Sequence, residues 1–246
     1  MTRIKFLNIE IDNLSMEESV CEIDNLIKKR KKSYVVTPNV DHIVKLEKDA
    51  EFVEVYKNAD LVLTDGMPLI WISKLLKRPI KEKVSGSDLF PSVCKLAVEK
   101  GYSIFLLGAA EGVASKAAEN LMKKYNGLKI AGTFSPSYGF ENNKDEIEKI
   151  INIINESKPD ILAVGLGAPK QEKFIYKYKD KLNVPISLAI GASIDFEAGN
   201  IERAPVWMQK SGLEWFYRFI KEPKRMFKRY FVDDMKIFKI YLKYRR

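Results

Sequence analysis

The chain has 246 residues, 46% of them apolar and 30% charged, with 42 Lys and Arg against 33 Asp and Glu and a net charge of +9. That length holds one good core and an appendage but hardly two full domains. No stretch reaches the roughly 18 uninterrupted apolar residues of a spanning helix, and Met1-Thr2-Arg3-Ile4-Lys5 lacks an apolar signal region, so a soluble cytoplasmic protein is expected. Cys21 and Cys94 sit in separate helical patterns without Cys-x-x-Cys spacing, which suggests neither a disulfide framework nor a zinc site. With one histidine, His42, and no Asp-x-Asp pair, no metal or other cofactor is expected.

Residues 4–11 alternate like an opening strand. Ser15, with Glu18 three positions on, forms a capping box before a helix that carries Val20, Ile23 and Ile27 on one face. Strand-like runs follow at Tyr34-Val35-Val36, Leu61-Val62-Leu63, Ser103-Ile104-Phe105-Leu106-Leu107, Lys129-Ile130-Ala131, Ile161-Leu162-Ala163-Val164 and Ile186-Ser187-Leu188-Ala189-Ile190, with helical patterns between them. Short β-branched or leucine-rich runs divided by helices predict an α/β fold, a mainly parallel sheet with helices on both faces.

Ligands of such folds bind at the carboxyl ends of the strands. Here those ends read Thr37-Pro38-Asn39-Val40-Asp41-His42, Thr64-Asp65-Gly66-Met67-Pro68, Gly108-Ala109-Ala110-Glu111-Gly112, Gly165-Leu166-Gly167-Ala168-Pro169-Lys170-Gln171-Glu172 and Gly191-Ala192-Ser193-Ile194-Asp195. Small, polar and charged groups thus converge on one edge. Gly108 and Gly112 lead into a helix over Val113–Lys124, whose free N–H groups suit a diphosphate, although a tight turn explains the same glycines. The Gly-x-Gly-x-x-Gly spacing is incomplete, which argues against a nicotinamide dinucleotide.

Thr37 before Pro38 is a natural N-cap with Asn39 in the first turn, and the same geometry offers a hydroxyl and an amide to a sugar or phosphate. Asp65 stands too early to cap the helix that Pro68 starts at Met67, so it is either an Asp-Gly turn residue or a carboxylate able to take a proton from a hydroxyl. Lys170 and Gln171 open another helix, as solvated first-turn residues or as ligands for phosphate and sugar. His42 has no paired Ser or Cys and is read as structural.

From residue 199 on, the pattern changes. Residues 199–246 hold 13 Lys and Arg against 5 Asp and Glu, nearly all of the net charge, and 11 of the 27 aromatic residues. Phe231, Met235, Phe238 and Leu242 share one helical face, and Lys236, Lys239 and Lys243 another. The organisation is therefore a body over residues 1–198 and a basic, aromatic, amphipathic helical appendage over 199–246. Such chemistry suits an anionic membrane surface or, less well, single-stranded nucleic acid; the alternative is that the aromatics pack on the body.

Together these stretches, with Val84-Ser85-Gly86-Ser87-Asp88 and the Ala204-Pro205, Trp215 and Glu222-Pro223 positions, resemble the WecG/TagA/CpsF family of bacterial glycosyltransferases over nearly the whole chain. Lys83 departs from the arginine found before Val-Ser-Gly in many relatives. The resemblance implies a Rossmann-like body that moves a sugar from a UDP donor to a lipid-linked acceptor at the inner face of the membrane. It is strongest to members that transfer N-acetylmannosamine to undecaprenyl-diphosphate N-acetylglucosamine, through a β(1→4) bond, in wall teichoic acid linkage-unit synthesis. On that reading Asp65 is the base and Thr37, Asn39, Lys170, Gln171 and Asp195 are substrate ligands. Gly108 faces the diphosphate, and Arg203, Arg218, Arg225 and Arg229 meet leaving-group charge. A donor carrying N-acetylmannosaminuronic acid or glucose would use the same framework, and exposed apolar tail surface would also allow a homo-oligomer. A nucleic-acid-binding role leaves the polar sheet edge unexplained.

Overall fold

The computed structural model describes residues 3–245, apart from the side chains of Lys210 and Arg225. Residues 4–11 do not form one strand. They fold as a hairpin, β1 (Arg3–Phe6) and β2 (Ile9–Asp12), paired antiparallel across a turn in which Leu7 takes a φ of 51°. Phe6, Leu7 and Ile9 are all buried, and a single strand alternating between two faces cannot bury all three on one side.

Then α1 (Met16–Lys29) begins at the expected capping box, with the Ser15 N–H donating to Glu18 and the Glu18 N–H to the Ser15 hydroxyl. The body continues as β3 (Ser33–Val36), α2 (Val40–Leu46), α3 (Ala50–Lys57), β4 (Leu61–Val62), α4 (Met67–Leu75), α5 (Gly86–Lys100), β5 (Ser103–Gly108) and α6 (Val113–Lys124). It closes with β6 (Lys129–Phe134), α7 (Lys144–Ser157), β7 (Ile161–Gly165), α8 (Lys170–Tyr178), β8 (Ile186–Ala189) and α9 (Ser193–Ala198).

Strands β3 to β8 form one parallel sheet in the order β4-β3-β8-β7-β5-β6, a Rossmann-like arrangement. Both faces are buried, which is why the strands read as continuous apolar runs. Tyr34, Val36, Phe105, Leu107, Leu162 and Val164 face one core, shared with α2, α3, α7 and α8. Val35, Ile104, Leu106, Ile161 and Ala163 face the other, shared with α1, α5, α6 and α9. The helix after β3 thus leaves to one face and the helix after β8, the neighbouring strand, to the other. A crevice opens where neighbouring strands part in this way.

The last residues form α10 (Val206–Lys210), α11 (Glu214–Lys221), α12 (Pro223–Lys228) and α13 (Ile237–Tyr244), with one π-helical turn at Arg229–Asp233 and a 3-10 turn at Asp234–Lys236. Two apolar rows run along this segment. Met226, Ile237 and Ile240 are buried, the last two within the first core, and Lys243 pairs with Glu47 at 2.7 Å. The expected face of Phe231, Met235, Phe238 and Leu242 forms the outer row and stays about half exposed, from 49% at Phe231 to 60% at Phe238.

Gly108 ends β5 with a φ of +128°, and a Cβ there would lie 2.3 Å from the Gly165 carbonyl of the adjacent strand. Gly108→Ala is expected to cost about 2–4 kcal/mol, measured as a lower urea midpoint at unchanged slope.

Candidate active site

The loops after β3, β4, β7 and β8 enclose a cleft of about 700 Å³, roofed by Arg218, Met226, Lys228 and Arg229 from the C-terminal segment. Of the residues expected from sequence, Thr37, Asn39, Asp65, Gln171, Asp195, Arg218 and Arg229 all line it. Four separate stretches of chain meet here because each leaves the carboxyl end of a strand.

Asn39, not Thr37, is the N-cap of the helix after β3. Its backbone is extended, and its Oδ1 accepts the His42 N–H at 3.4 Å, so α2 starts at Val40, two residues beyond Pro38. Thr37 is left as a buried cleft residue. Asp65 does not cap α4 either, since Gly66 holds that position at a φ of +97°. Instead the Asp65 N–H donates to the Pro38 carbonyl at 2.8 Å, which binds the β4 turn to the β3 loop. Burial raises the Asp65 carboxyl above the usual aspartate range, while the charges of Lys83 and Arg218 pull it back down. A carboxyl raised in this way is, once ionised, a stronger base than a solvated one.

A second cavity of about 420 Å³ shares Asn39, Asp41, Asp65, Ser87, Arg218 and Arg229 with the cleft and runs outward between α4 and the C-terminal segment. Its outer walls are apolar, formed by Pro68, Trp71, Trp215, Phe231, Met235 and Phe238. A polar cleft and an apolar groove therefore meet at a shared lining that includes Asp65, Arg218 and Arg229.

The model of the glycosyl transferase WecG/TagA/CpsF family matches residues 4–246. The chain belongs to this glycosyltransferase family. It is similar to proteins named N-acetylglucosaminyldiphosphoundecaprenol N-acetyl-beta-D-mannosaminyltransferase from three organisms. With the Bacillus spizizenii protein it shares 33% identity over 79% of this chain and 74% of the relative. With the Bacillus subtilis protein the identity is 34% over 72% and 67%, and with a Staphylococcus aureus protein 26% over 91% and 87%.

Other candidates in this glycosyltransferase stand elsewhere. Gly108 does not line the cleft, and the Gly165 carbonyl accounts for its lack of a side chain. Lys170 opens α8 as expected, but its ammonium pairs with Glu141 and lies over the Tyr138 ring, outside the cleft lining. The Arg225 side chain lies outside the described residues. Among those residues no group of three or more His, Cys, Asp or Glu is placed to hold a metal ion.

Arg203 binds the body rather than lining the cleft. It donates to Asp88 Oδ1 at 2.7 Å and to the Ser87 carbonyl at 3.2 Å, while Lys83 and the Ser85 hydroxyl each donate to Asp88 Oδ2 at 2.7 Å. Lys83, the departure from the arginine of many relatives, is thus an anchor for Asp88. The guanidinium groups of Arg203 and Arg218 both lie over the Phe196 ring, 5.7 and 5.3 Å from its centre.

Sequence reasoning did not single out Asp88, Asp234 or Glu172, among others. Asp88 and Glu172 stood inside motifs that were quoted as wholes. Asp234 left no local signal, because only the π turn at 229–233 brings it beside Arg229, 4.0 Å away. Burial pushes its carboxyl up to about 6, and Arg229 only partly offsets that.

Burial also raises the Asp88 carboxyl, but its bonds from Lys83, Ser85 and Arg203 outweigh this and hold it at about 2. A depressed folded value stabilises above the unfolded one, 3.8, and that stability disappears as pH falls through about 2. Asp88→Asn is therefore expected to cost about 2 kcal/mol at neutral pH. Urea unfolding across the acid range checks this: the gap to wild type should close as the pH approaches the folded value.

Proposed function

We propose that the chain transfers N-acetylmannosamine from UDP-N-acetylmannosamine to undecaprenyl-diphosphate N-acetylglucosamine, as a step in assembly of the wall teichoic acid linkage unit. The observation that carries this reading is the junction of the polar cleft with the apolar groove at Asp65. A nucleotide sugar fits the first by polarity, and a polyprenyl diphosphate fits the second. The names of the relatives describe the same pair of groups, a diphosphoundecaprenol-linked N-acetylglucosamine and an N-acetyl-β-D-mannosaminyl residue.

An α-linked UDP-sugar that yields a β-linked product requires inversion in one in-line displacement. Asp65 takes the proton of the acceptor hydroxyl as its oxygen attacks the anomeric carbon, and the bond from that carbon to the UDP oxygen breaks on the opposite side. The departing diphosphate keeps the electron pair. Arg218 and Arg229, which reach the junction from the C-terminal segment, offset its charge with fork-shaped guanidinium donors. Arg203 holds the start of that segment to the body.

Among the described residues no helix is long and apolar enough to cross a membrane. Membrane contact instead uses the outer row of the C-terminal segment together with Trp71, Leu75, Trp207, Phe216 and Ile220, all exposed. Lysines and arginines of the same segment add attraction to anionic lipid of about 1 kcal/mol per well-placed charge. A lipid-linked acceptor made at the inner face of the plasma membrane is then within reach of the groove.

The test is UDP release with a panel of UDP-sugars and a synthetic polyprenyl-diphosphate N-acetylglucosamine. UDP-N-acetylmannosamine should be the preferred donor, with turnover persisting in excess chelator; preference for a glucose or uronic acid donor would overturn the assignment. Asp65→Asn should lose about 10²–10⁴-fold in kcat with little change in melting temperature. Near-normal turnover would return Asp65 to a turn role.

The membrane face has its own check. Phe231→Ser with Phe238→Ser should weaken binding to anionic vesicles by roughly tenfold or more in flotation assays and resist rescue by low salt, because the lost contribution is apolar. Unchanged flotation would exclude the outer row as the membrane contact.

A further inference from the structure

The hydrogen bonds beneath the cleft form one continuous chain. Asn39 Oδ1 lies 2.7 Å from His42 Nδ1, and His42 Nε2 lies 3.1 Å from Glu172 Oε1. Gln171 Nε2 donates to the same Glu172 oxygen at 2.7 Å, and the Gly191 N–H donates to Gln171 Oε1 at 3.1 Å. The chain joins the end of β3, the first turn of α8 and the loop after β8. His42, Gln171 and Glu172 are 5%, 4% and 1% exposed, and no step described above uses His42 or Glu172.

These bonds fix which atoms the two amides show to the cleft. Asn39 Oδ1 must face α2, because it accepts the His42 N–H as the cap of that helix, and a flipped amide would oppose one N–H with another. His42 Nδ1 must then donate to Oδ1. The Asn39 N–H lies 3.3 Å from the same ring nitrogen, but one nitrogen cannot both donate and accept, and the 2.7 Å contact decides. With Nδ1 protonated, a further proton lies between Nε2 and Glu172 Oε1 and closes a ring–carboxyl pair. Gln171 is fixed likewise, its Oε1 taken by the Gly191 N–H. What remains for a ligand is Asn39 Nδ2 and the second N–H of Gln171.

Both residues line the cleft, so this part of it offers hydrogen-bond donors. It matches acceptor oxygens: a hydroxyl lone pair, an acetamido carbonyl or a phosphate. Glu172 Oε2 and the Tyr56 hydroxyl are buried with no hydrogen-bond partner among the described residues, and the Tyr56 ring stands edge-on to His42 at 6.3 Å. A buried carboxylate with an orphan oxygen is a poor choice for stability alone.

We propose that His42 and Glu172 are positioning residues, a buried pair that holds the amides of Asn39 and Gln171 with their N–H groups turned toward substrate oxygens. The inference rests on the glycosyl-transfer reading above.

Two measurements test it. His42 is the only histidine in the chain, so nitrogen-15 NMR of the imidazole reports this ring alone. A proton on Nδ1 is expected, against the Nε2 preference of a free neutral imidazole, and a bare Nδ1 would overturn the proposal. In the UDP-release assay, Glu172→Gln should lower kcat/KM by about tenfold or more in the wild-type chain. The same substitution should cost less than about twofold in an Asn39→Ala/Gln171→Ala chain, since its effect passes through those amides. An equal loss in both backgrounds, or none in the wild type, would also overturn it. A wild-type chain that is silent with every donor sinks the transfer reading instead, and the ring measurement still decides whether the pair orients Asn39.

Discussion

A parallel sheet buried on both faces leaves its polar chemistry one place to gather. Every side chain along β3, β5, β7 and β8 must be small or apolar to fit between two layers of helices, so hydroxyls, amides and carboxylates collect where the strands stop. The order β4-β3-β8-β7-β5-β6 decides which strand ends meet. Because the helices after β3 and β8 depart to opposite faces, Thr37 and Asn39 come to stand across from Gly191 and Asp195, with Asp65 from β4 and Gln171 from β7 completing the ring.

The C-terminal segment completes this edge only because it is tied at both ends. Near its start Arg203 is held by Asp88, which Lys83 and Ser85 orient in turn; near its end Ile237, Ile240 and the Lys243–Glu47 pair dock on the core. Between those ties the chain arches over the cleft and brings Arg218 and Arg229 into the lining that Asp65 shares. Two apolar rows on one segment differ in burial: the inner row fastens the arch to the core, and the outer row stays about half exposed.

Charge at the junction is balanced rather than merely positive. Arg218 is shared with Glu214 at 3.4 Å, Lys45 with Asp41 at 2.7 Å, and Arg229 faces Asp234. Pairing of this kind restricts the guanidinium groups to fewer orientations, which lowers the side-chain freedom that any anionic ligand would have to remove. Lys83 and Arg218 oppose the upward shift that burial imposes on the Asp65 carboxyl, while Glu214 adds to it.

Much of this was legible in the residues alone. The capping box at Ser15, the apolar runs of β3 to β8 and the polar stretches after them are local signals, set by backbone period and by the chemistry of a few neighbouring side chains. They named the sheet, its edge and five of the residues that line the cleft, Thr37, Asn39, Asp65, Gln171 and Asp195, whereas Arg218 and Arg229 came from the family resemblance. Local signals failed where a competing contact lay far along the chain. Residues 4–11 alternate like one strand, but burial of Phe6, Leu7 and Ile9 together folds them into a hairpin. Thr37 before Pro38 looks like a cap, yet Asn39 takes that role because its amide also meets His42, whose other nitrogen meets Glu172, 130 positions later. Gly108 reads as a phosphate glycine and is explained by the Gly165 carbonyl of the next strand. Strand order, the arch of the C-terminal segment and the buried His42–Glu172 pair depend on groups distant in sequence meeting in a dry interior, and only tertiary packing selects those partners.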